Sequence, residues 1–242
     1  MSLRGIKLVT LDATNTILKF RVPPWQYYAD VAQDFGFTVD AQQVKTLSLK
    51  SFKTIDKKHP NFGRDTICWE EWWRQIVKSS FTGLLPAAAD VDGIAKRLIE
   101  DFKTTKCWCK AHGSEKLLTL LRGKGISIGV ISNYDPRLYE VLTNISLGSH
   151  FDFVITSYDV GFSKPDKRIF DYAMQEFKGF VAPSECLHIG DDVEKDYEGA
   201  RAAGWHSVLV NVDVTETPPA CKHVFTDIEA LNLAIQHDNF VL

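Results

Sequence analysis

After residue 105 the chain alternates between two patterns. The short apolar runs "ISIGVIS", "FDFVITS", "CLHIGDD" and "HSVLVNV" are rich in branched residues. Between them lie "GSEKLLTLLRGKG", "DPRLYEVLTNI", "KPDKRIFDYAMQEF" and "EKDYEGARAAGW", with apolar residues at helical spacing. Runs of this length are too short for stable helices and read as buried strands. Strands alternating with helices predict a parallel sheet covered on both faces, joined by right-handed crossovers. An earlier run, "IKLVTL" at residues 6–11, supplies a first strand, and "HVFTDIEALNLAIQ" closes the chain with a short strand and a helix. Ser114 is expected to cap the first of these helices, with Gly123 or Gly125 ending it, and Asp135 with Pro136 to open the second.

Between the first strand and this alternation the character changes. "PPWQYYADVAQDFGF", "DAQQVKTLSLKSFKTI", "DTICWEEWWRQIVKSSF" and "DVDGIAKRLIEDFKT" each carry apolar residues at helical spacing. Four such helices predict a bundle with its own core, and Trp69, Trp72, Trp73 and Ile76, sharing one helical face, read as that core rather than a ligand box. The chain has 242 residues, enough for a core domain plus a smaller inserted one. The expected fold class is therefore α/β: a doubly wound parallel-sheet (Rossmann-like) core over residues 1–20 and 106–242, with an inserted four-helix bundle over 21–105.

Composition narrows the function classes. The formal charge is −3 without a cluster of Lys and Arg, which argues against binding nucleic acid or an anionic membrane surface. No apolar run is long enough to span a bilayer, and the N-terminus reads as a strand rather than a secretory signal. The cysteines number five, an odd count that fits reduced thiols, so a cytoplasmic location is expected, with the nucleus left open. "CWCKAH" brings Cys107, Cys109 and His112 together but offers no fourth metal ligand nearby; it reads as a linker holding Trp108. No feature signals an obligate protein partner.

In doubly wound sheets the site lies at the carboxyl ends of the strands. There the sequence gathers Asp12 after the first strand, Ser132 and Asn133 after "GVI", Lys164 after "FVITS", and Asp191 and Asp192 after "HIG", with Asp196 one turn further on. Singly, each is an ordinary cap, turn or surface residue. Jointly they place several carboxylates beside one cation, which a bound Mg²⁺ would make tolerable; hard oxygen ligands with room for water and a phosphate oxygen suit that ion. The chemistry this supports is phosphoryl transfer. Asp12 is the nucleophile, Lys164 neutralises the site and grips the phosphoryl group, and the Ser132 hydroxyl and Asn133 backbone amide hydrogen-bond its oxygens.

Over essentially its whole length the chain resembles the haloacid dehalogenase superfamily. "DATNT" is similar to that family's first motif, "VISN" to its second, "SKPDKRIF" to its third and "HIGDDVEKDYEGARAAGW" to its fourth. The insertion matches the helical cap of one subgroup. The resemblance implies a mobile cap that carries specificity, an aspartyl-phosphate at Asp12, and Mg²⁺ held by Asp12, the Thr14 backbone carbonyl and Asp191. Asp192 and Asp196 would lie behind them, and Ser132, Asn133, Lys164 and Thr16 would face the substrate. One departure stands out. Family phosphatases carry Asp at position 14 as general acid–base; Thr14 cannot exchange a proton near neutral pH, and losing that group typically costs about 10²–10⁴-fold. Thr at this position also occurs in the ion-pumping ATPases, whereas the dehalogenases have Tyr. Asn15, in place of a common Gly, tolerates a left-handed backbone.

The expected function is a Mg²⁺-dependent hydrolase of a small phosphorylated metabolite, slowed by Thr14 or suited to a good leaving group. The alternatives are a non-catalytic or regulatory binding protein of the same family and, last, a haloacid dehalogenase. Dehalogenation needs no metal and would leave Asp191 and Asp192 merely repelling a carboxylate substrate.

Overall fold

The computed structural model describes residues 3–212 and 221–237. Two compact units are present. One comprises residues 1–19, 110–133 and 146–242, and the other residues 20–109 and 134–145.

The first unit is built on β1 (Leu8–Leu11), which is buried along its whole length. The chain leaves this unit through β2 (Leu18–Phe20), runs through the helices α1 (Pro24–Asp34), α2 (Ala41–Lys58), α3 (Trp69–Ser80) and α4 (Val91–Asp101), and comes back through β3 (Trp108–Lys110), which pairs with β2. Next come α5 (Ser114–Gly123), β4 (Ser127–Ser132), α6 (Arg137–Asn144), which belongs to the second unit, then β5 (Phe153–Thr156), the single turn α7 (Ser157–Val160) and α8 (Lys167–Glu176). β6 (Cys186–Gly190), a π-helical turn over Val193–Glu198, α9 (Gly199–Ala202), β7 (His206–Leu209) and α10 (Ile228–Gln236) complete it. The sheet runs β5-β4-β1-β6-β7, and every pair is parallel. β1 is thus central, with β4 on one side and β6 on the other. That reversal of strand order opens the crevice in which sheets of this kind place their sites.

Helix ends mostly follow their residues. Asp166 accepts from the Arg168 amide at 2.9 Å and Asp135 from the Arg137 amide at 3.0 Å, each bonding a donor that the helix itself leaves unpaired. Ser114 differs from expectation. Gly113, at φ +82°, occupies the capping position of α5, and the Ser114 hydroxyl donates to the Ile17 carbonyl at 3.4 Å instead. The stretch "EKDYEGARAAGW" is also not one regular helix. The Tyr197 amide reaches back five residues to the Asp192 carbonyl at 3.2 Å, widening the first turn before α9 resumes.

The second unit has its own apolar centre. Tyr28, Val31, Ala32, Val44, Val77, Phe81, Ile94, Ala95 and Leu98 form one cluster across α1 to α4, and Ile55, Trp72 and Ile76 form another. Trp72 belongs to that core, as the sequence suggests. Trp73 packs against that cluster, its ring centre 4.9 Å from that of Trp72, and both Trp69 and Trp73 also lie over the Arg137 guanidinium, at 5.2 and 4.7 Å from the ring centres. Arg137 pairs with the fully buried Asp135, which also accepts from the Trp73 indole at 2.7 Å. This buried pair explains why residues 134–145, assigned to the core by segmentation at 105/106, group with the inserted helices. Trp108 is buried and stacks on Phe20 at 4.2 Å, consistent with its role in the linker.

Candidate active site

All the groups assembled here belong to the first unit. Asp12 follows β1 directly, and its backbone amide continues the ladder to the Ile189 carbonyl at 2.9 Å, so the carboxylate is placed by the central strand. Lys164 arrives from the loop before α8. Its ammonium donates to Asp12 Oδ1 at 2.7 Å, Asp196 Oδ1 at 2.6 Å and the Ile131 carbonyl at 2.8 Å. Those three bonds use every donor the ammonium has. All three side chains are buried. Burial alone would drive the lysine neutral, but the two carboxylates outweigh it and hold its pKa above the ordinary range.

The acids divide sharply. Burial works against the Asp196 charge, yet Lys164 and a hydrogen bond from His188 hold its pKa far below the usual range. Asp12 is pushed up, first by burial and further by the Asp196 charge, with Lys164 offsetting only part. Asp191 is pushed up to about 7, chiefly by burial and then by the charges of Asp12 and Asp196. One carboxylate oxygen from each of Asp12, Asp191 and Asp196 lies within 4.8 Å of the others. Among the described residues this is the one grouping of three acidic, His or Cys side chains close enough to share an ion. Three acids against a single lysine, two of them with raised proton affinity, make a site with spare negative capacity, and its oxygen-only donor set fits a hard divalent cation.

The remaining expected residues fall as follows. Thr16 is buried and donates to Asp191 Oδ1 at 3.3 Å, orienting that carboxylate. Thr14 lies in the turn after Asp12, where Asn15 takes the left-handed conformation (φ 61°) anticipated for it. Ser132 is buried at the end of β4. Asp192 is expected behind the ligands, and its backbone amide donates to Asp196 Oδ2 at 3.0 Å. Its carboxylate caps the next turn, accepting from the Lys195 amide at 2.9 Å and the Lys195 ammonium at 2.6 Å, and lies outside the acidic trio. Asp196, expected behind the ligands, sits inside the trio.

Several contributors went unnoticed in the sequence. The Asn133 side chain, rather than only its amide, clamps Lys164: its Nδ2 donates to the Lys164 carbonyl at 2.9 Å and its Oδ1 accepts from the Lys164 amide at 2.8 Å. Asn211 Nδ2 donates to the carbonyls of Asn15 at 2.6 Å and Thr16 at 3.1 Å, pinning the turn that follows Asp12. His188 is fully buried in β6, 3.1 Å from Asp196 Oδ1 and 2.8 Å from the Thr10 hydroxyl. A Cβ on Gly190 would lie 2.2 Å from the Asp196 carboxyl carbon, so only glycine lets Asp196 fold back onto the strand end. The available signal was a period of two: Thr10 and Asp12 on one strand, His188 and Gly190 on its neighbour, facing the same way.

A doubly wound α/β unit with an acidic trio and a buried lysine at the carboxyl end of its central strand defines the class. Residues 6–204 match the haloacid dehalogenase-like hydrolase family, and the chain belongs to it. It is 38% identical over 221 residues to the Rhythmically expressed gene 2 protein of Drosophila melanogaster, covering 87% of this chain and 85% of that one. It is 35% identical over 207 residues to haloacid dehalogenase-like hydrolase domain-containing protein 3 of Mus musculus, covering 85% and 82%. Among solved structures the fold is shared with the HAD-hydrolase YfnB of Bacillus subtilis bound to magnesium (TM-score 0.69, 18% identity, 96% and 99% covered). It is shared equally with the L-2-haloacid dehalogenase of Xanthobacter autotrophicus (TM-score 0.69, 18% identity, 96% and 98% covered). No described helix is long and apolar enough to cross a membrane.

Proposed function

We propose that this protein is a Mg²⁺-dependent phosphohydrolase that cleaves a small phosphate ester through an aspartyl-phosphate on Asp12. The observation that carries this reading is the Asp12 carboxylate, fixed at 2.7 Å by the Lys164 ammonium and within 4.8 Å of oxygens on Asp191 and Asp196. Asp12, Asp191 and the Thr14 backbone carbonyl would hold the ion, with Asp196 alongside. When bound, it supplies the positive charge that keeps these acids ionised and screens the phosphoryl oxygens. YfnB, bound to magnesium, has the same fold.

The chain's own residues do the rest. Asp12 attacks phosphorus: a carboxylate–phosphorus bond forms, and the bond to the leaving alcohol breaks with its electron pair on oxygen. Lys164 keeps its charge beside Asp12 while Asn133 holds its backbone. With its donors already engaged, it must give up a contact to grip a phosphoryl oxygen. The Ser132 hydroxyl and the Asn133 amide hydrogen-bond the equatorial oxygens, and Thr16 holds Asp191. Water then attacks the same phosphorus, releasing phosphate and restoring the carboxylate. Thr14 offers no proton to the leaving oxygen and takes none from water. The site therefore favours leaving groups that are stable as anions and turns over slowly.

A panel of phosphate esters, run with Mg²⁺ and with chelator, tests this, using Asp12→Asn as the blank. Metal-dependent release that disappears in Asp12→Asn supports it. A stoichiometric burst without turnover would place the protein between the hydrolase and the regulatory reading, and the absence of both burst and metal-dependent turnover would overturn the hydrolase.

A further inference from the structure

Asp196 is shared by two strands' worth of structure beyond Lys164. Thr10 on β1 and His188 on β6 are direct register partners in the parallel pairing. Both are fully buried, one step below the strand ends that carry Asp12 and Gly190. The Thr10 hydroxyl lies 2.8 Å from His188 Nδ1, and His188 Nε2 lies 3.1 Å from Asp196 Oδ1. Full burial keeps the imidazole neutral with a single hydrogen; an ionised carboxylate only accepts, so Nε2 carries that hydrogen, Nδ1 is bare, and the Thr10 hydroxyl donates to it. Phe170 meets the imidazole edge-on at 5.3 Å and closes its remaining side. The other Asp196 oxygen accepts from the Asp192 amide at 3.0 Å. Oδ1 is thus fixed between an imidazole and the lysine that holds Asp12, while Oδ2, with one donor, keeps an acceptor direction for a cation.

We propose that His188, oriented by Thr10, is a positioning residue: it locks the Asp196 carboxylate in the one orientation that aims Lys164 at Asp12 and presents Asp196 to the cation. A strand interior of branched apolar residues needs no imidazole at this point, and a histidine there must be satisfied at both nitrogens. Here both partners lead to the site. The consequence for phosphoryl transfer rests on the reading of the site given above; the hydrogen-bond chain itself does not.

Two variants separate positioning from bulk. His188→Leu removes both hydrogen bonds at similar volume, whereas in His188→Gln the amide can donate to Asp196 and its carbonyl can accept from Thr10. Groups that orient metal-binding side chains typically contribute 10–100-fold to metal affinity or activity. In His188→Leu we expect Mg²⁺ affinity, by calorimetry, and kcat on an aryl phosphate each to fall about tenfold or more, with KM little changed. His188→Gln should recover most of that loss. Thr10→Val should lower both more mildly and add nothing on top of His188→Leu. In metal-free wild type, imidazole ¹⁵N spectra should show His188 protonated at Nε2 and bare at Nδ1, and Thr10→Val should disturb that signature. His188→Leu that folds and binds Mg²⁺ within twofold of wild type, or His188→Gln as impaired as His188→Leu, overturns the proposal. Should His188→Leu fail to fold, His188→Gln, Thr10→Val and the spectra still decide. If wild type takes up no Mg²⁺ and cleaves no ester, the hydrolase reading fails. The spectra then judge the hydrogen-bond chain separately: a bare Nε2 refutes it.

Discussion

The proton affinities of the acidic trio make Mg²⁺ binding depend on pH in a calculable way. In the metal-free protein Asp191 titrates near 7 rather than near 3.8, because it is largely withdrawn from water beside Asp12 and Asp196. A cation competes with that proton. At pH 6 about a tenth of Asp191 is ionised and at pH 8 about nine-tenths, so the apparent affinity should rise about tenfold, or about 1.4 kcal/mol. The sign for stability is opposite. The folded metal-free protein keeps a proton on Asp191 that the unfolded chain releases, so this group's contribution to stability falls as pH rises from about 4 to about 7 and then levels. Added Mg²⁺ should therefore raise the melting temperature more at pH 8 than at pH 6. Calorimetric titration with MgCl₂ at both pH values, in buffers of different ionisation enthalpy, would measure the affinity and the protons released. Equal affinity at pH 6 and pH 8, with no proton released, would refute the assignment of Asp191 as a ligand with raised proton affinity.

Three further outcomes follow from named contacts. Thr14→Asp should raise turnover of a generic aryl phosphate, by up to about 10²-fold, because it restores a group that can give and take a proton; an unchanged or lower rate with Mg²⁺ binding intact would remove the account of Thr14. Gly190→Ala places a carbon 2.2 Å from the Asp196 carboxyl and should abolish Mg²⁺ binding and activity together, even where circular dichroism shows the fold retained. In the helical unit, Arg137→Leu leaves Asp135 buried without its bidentate partner and should cost about 3–5 kcal/mol in urea unfolding followed by tryptophan fluorescence, with Asp135→Asn on top recovering part.

The elements were legible because their signals are local. Branched apolar runs mark β1, β4, β5 and β6 to within two residues at each end, and Pro, Asp and Gly punctuate the helices. The carboxyl ends of those strands then collect Asp12, Ser132, Lys164 and Asp191 by topology alone. Direction was harder to read. Whether Asp192 or Asp196 joins the trio depends on the pitch of one turn. The π-helical widening after Asp192, together with the bare Gly190, swings Asp196 back under the strand and leaves Asp192 to cap the helix and pair with Lys195. Nor can a one-dimensional pattern show that Asn133 and Lys164 exchange two hydrogen bonds across 31 residues, or that Thr10 and His188 are register partners across 178. The grouping of residues 134–145 with the helical unit hangs on Asp135 and Arg137, which in sequence look like an ordinary cap and a surface cation.

The turn from Ala13 to Ile17 shows why a change at position 14 need not dismantle the site. Its shape is set by the backbone. The amides of Ile17 and Leu18 both bond the Ala13 carbonyl, at 3.0 and 2.8 Å, and Asn211 ties down the carbonyls of Asn15 and Thr16. Asp12 is anchored independently, by the ladder to Ile189 and by Lys164. None of these bonds involves the Thr14 side chain. In the proposed site, position 14 would give ion binding a carbonyl, which threonine supplies as well as aspartate. What it withholds is a titratable group, which binding and attack do not require. Asp12, Lys164 and Asp196 therefore form one hydrogen-bonded assembly beside Asp191, and in the proposed mechanism proton transfer is a separable addition. On the proposed mechanism, Thr14 would cost fast turnover while leaving formation of a phosphorylated aspartate possible.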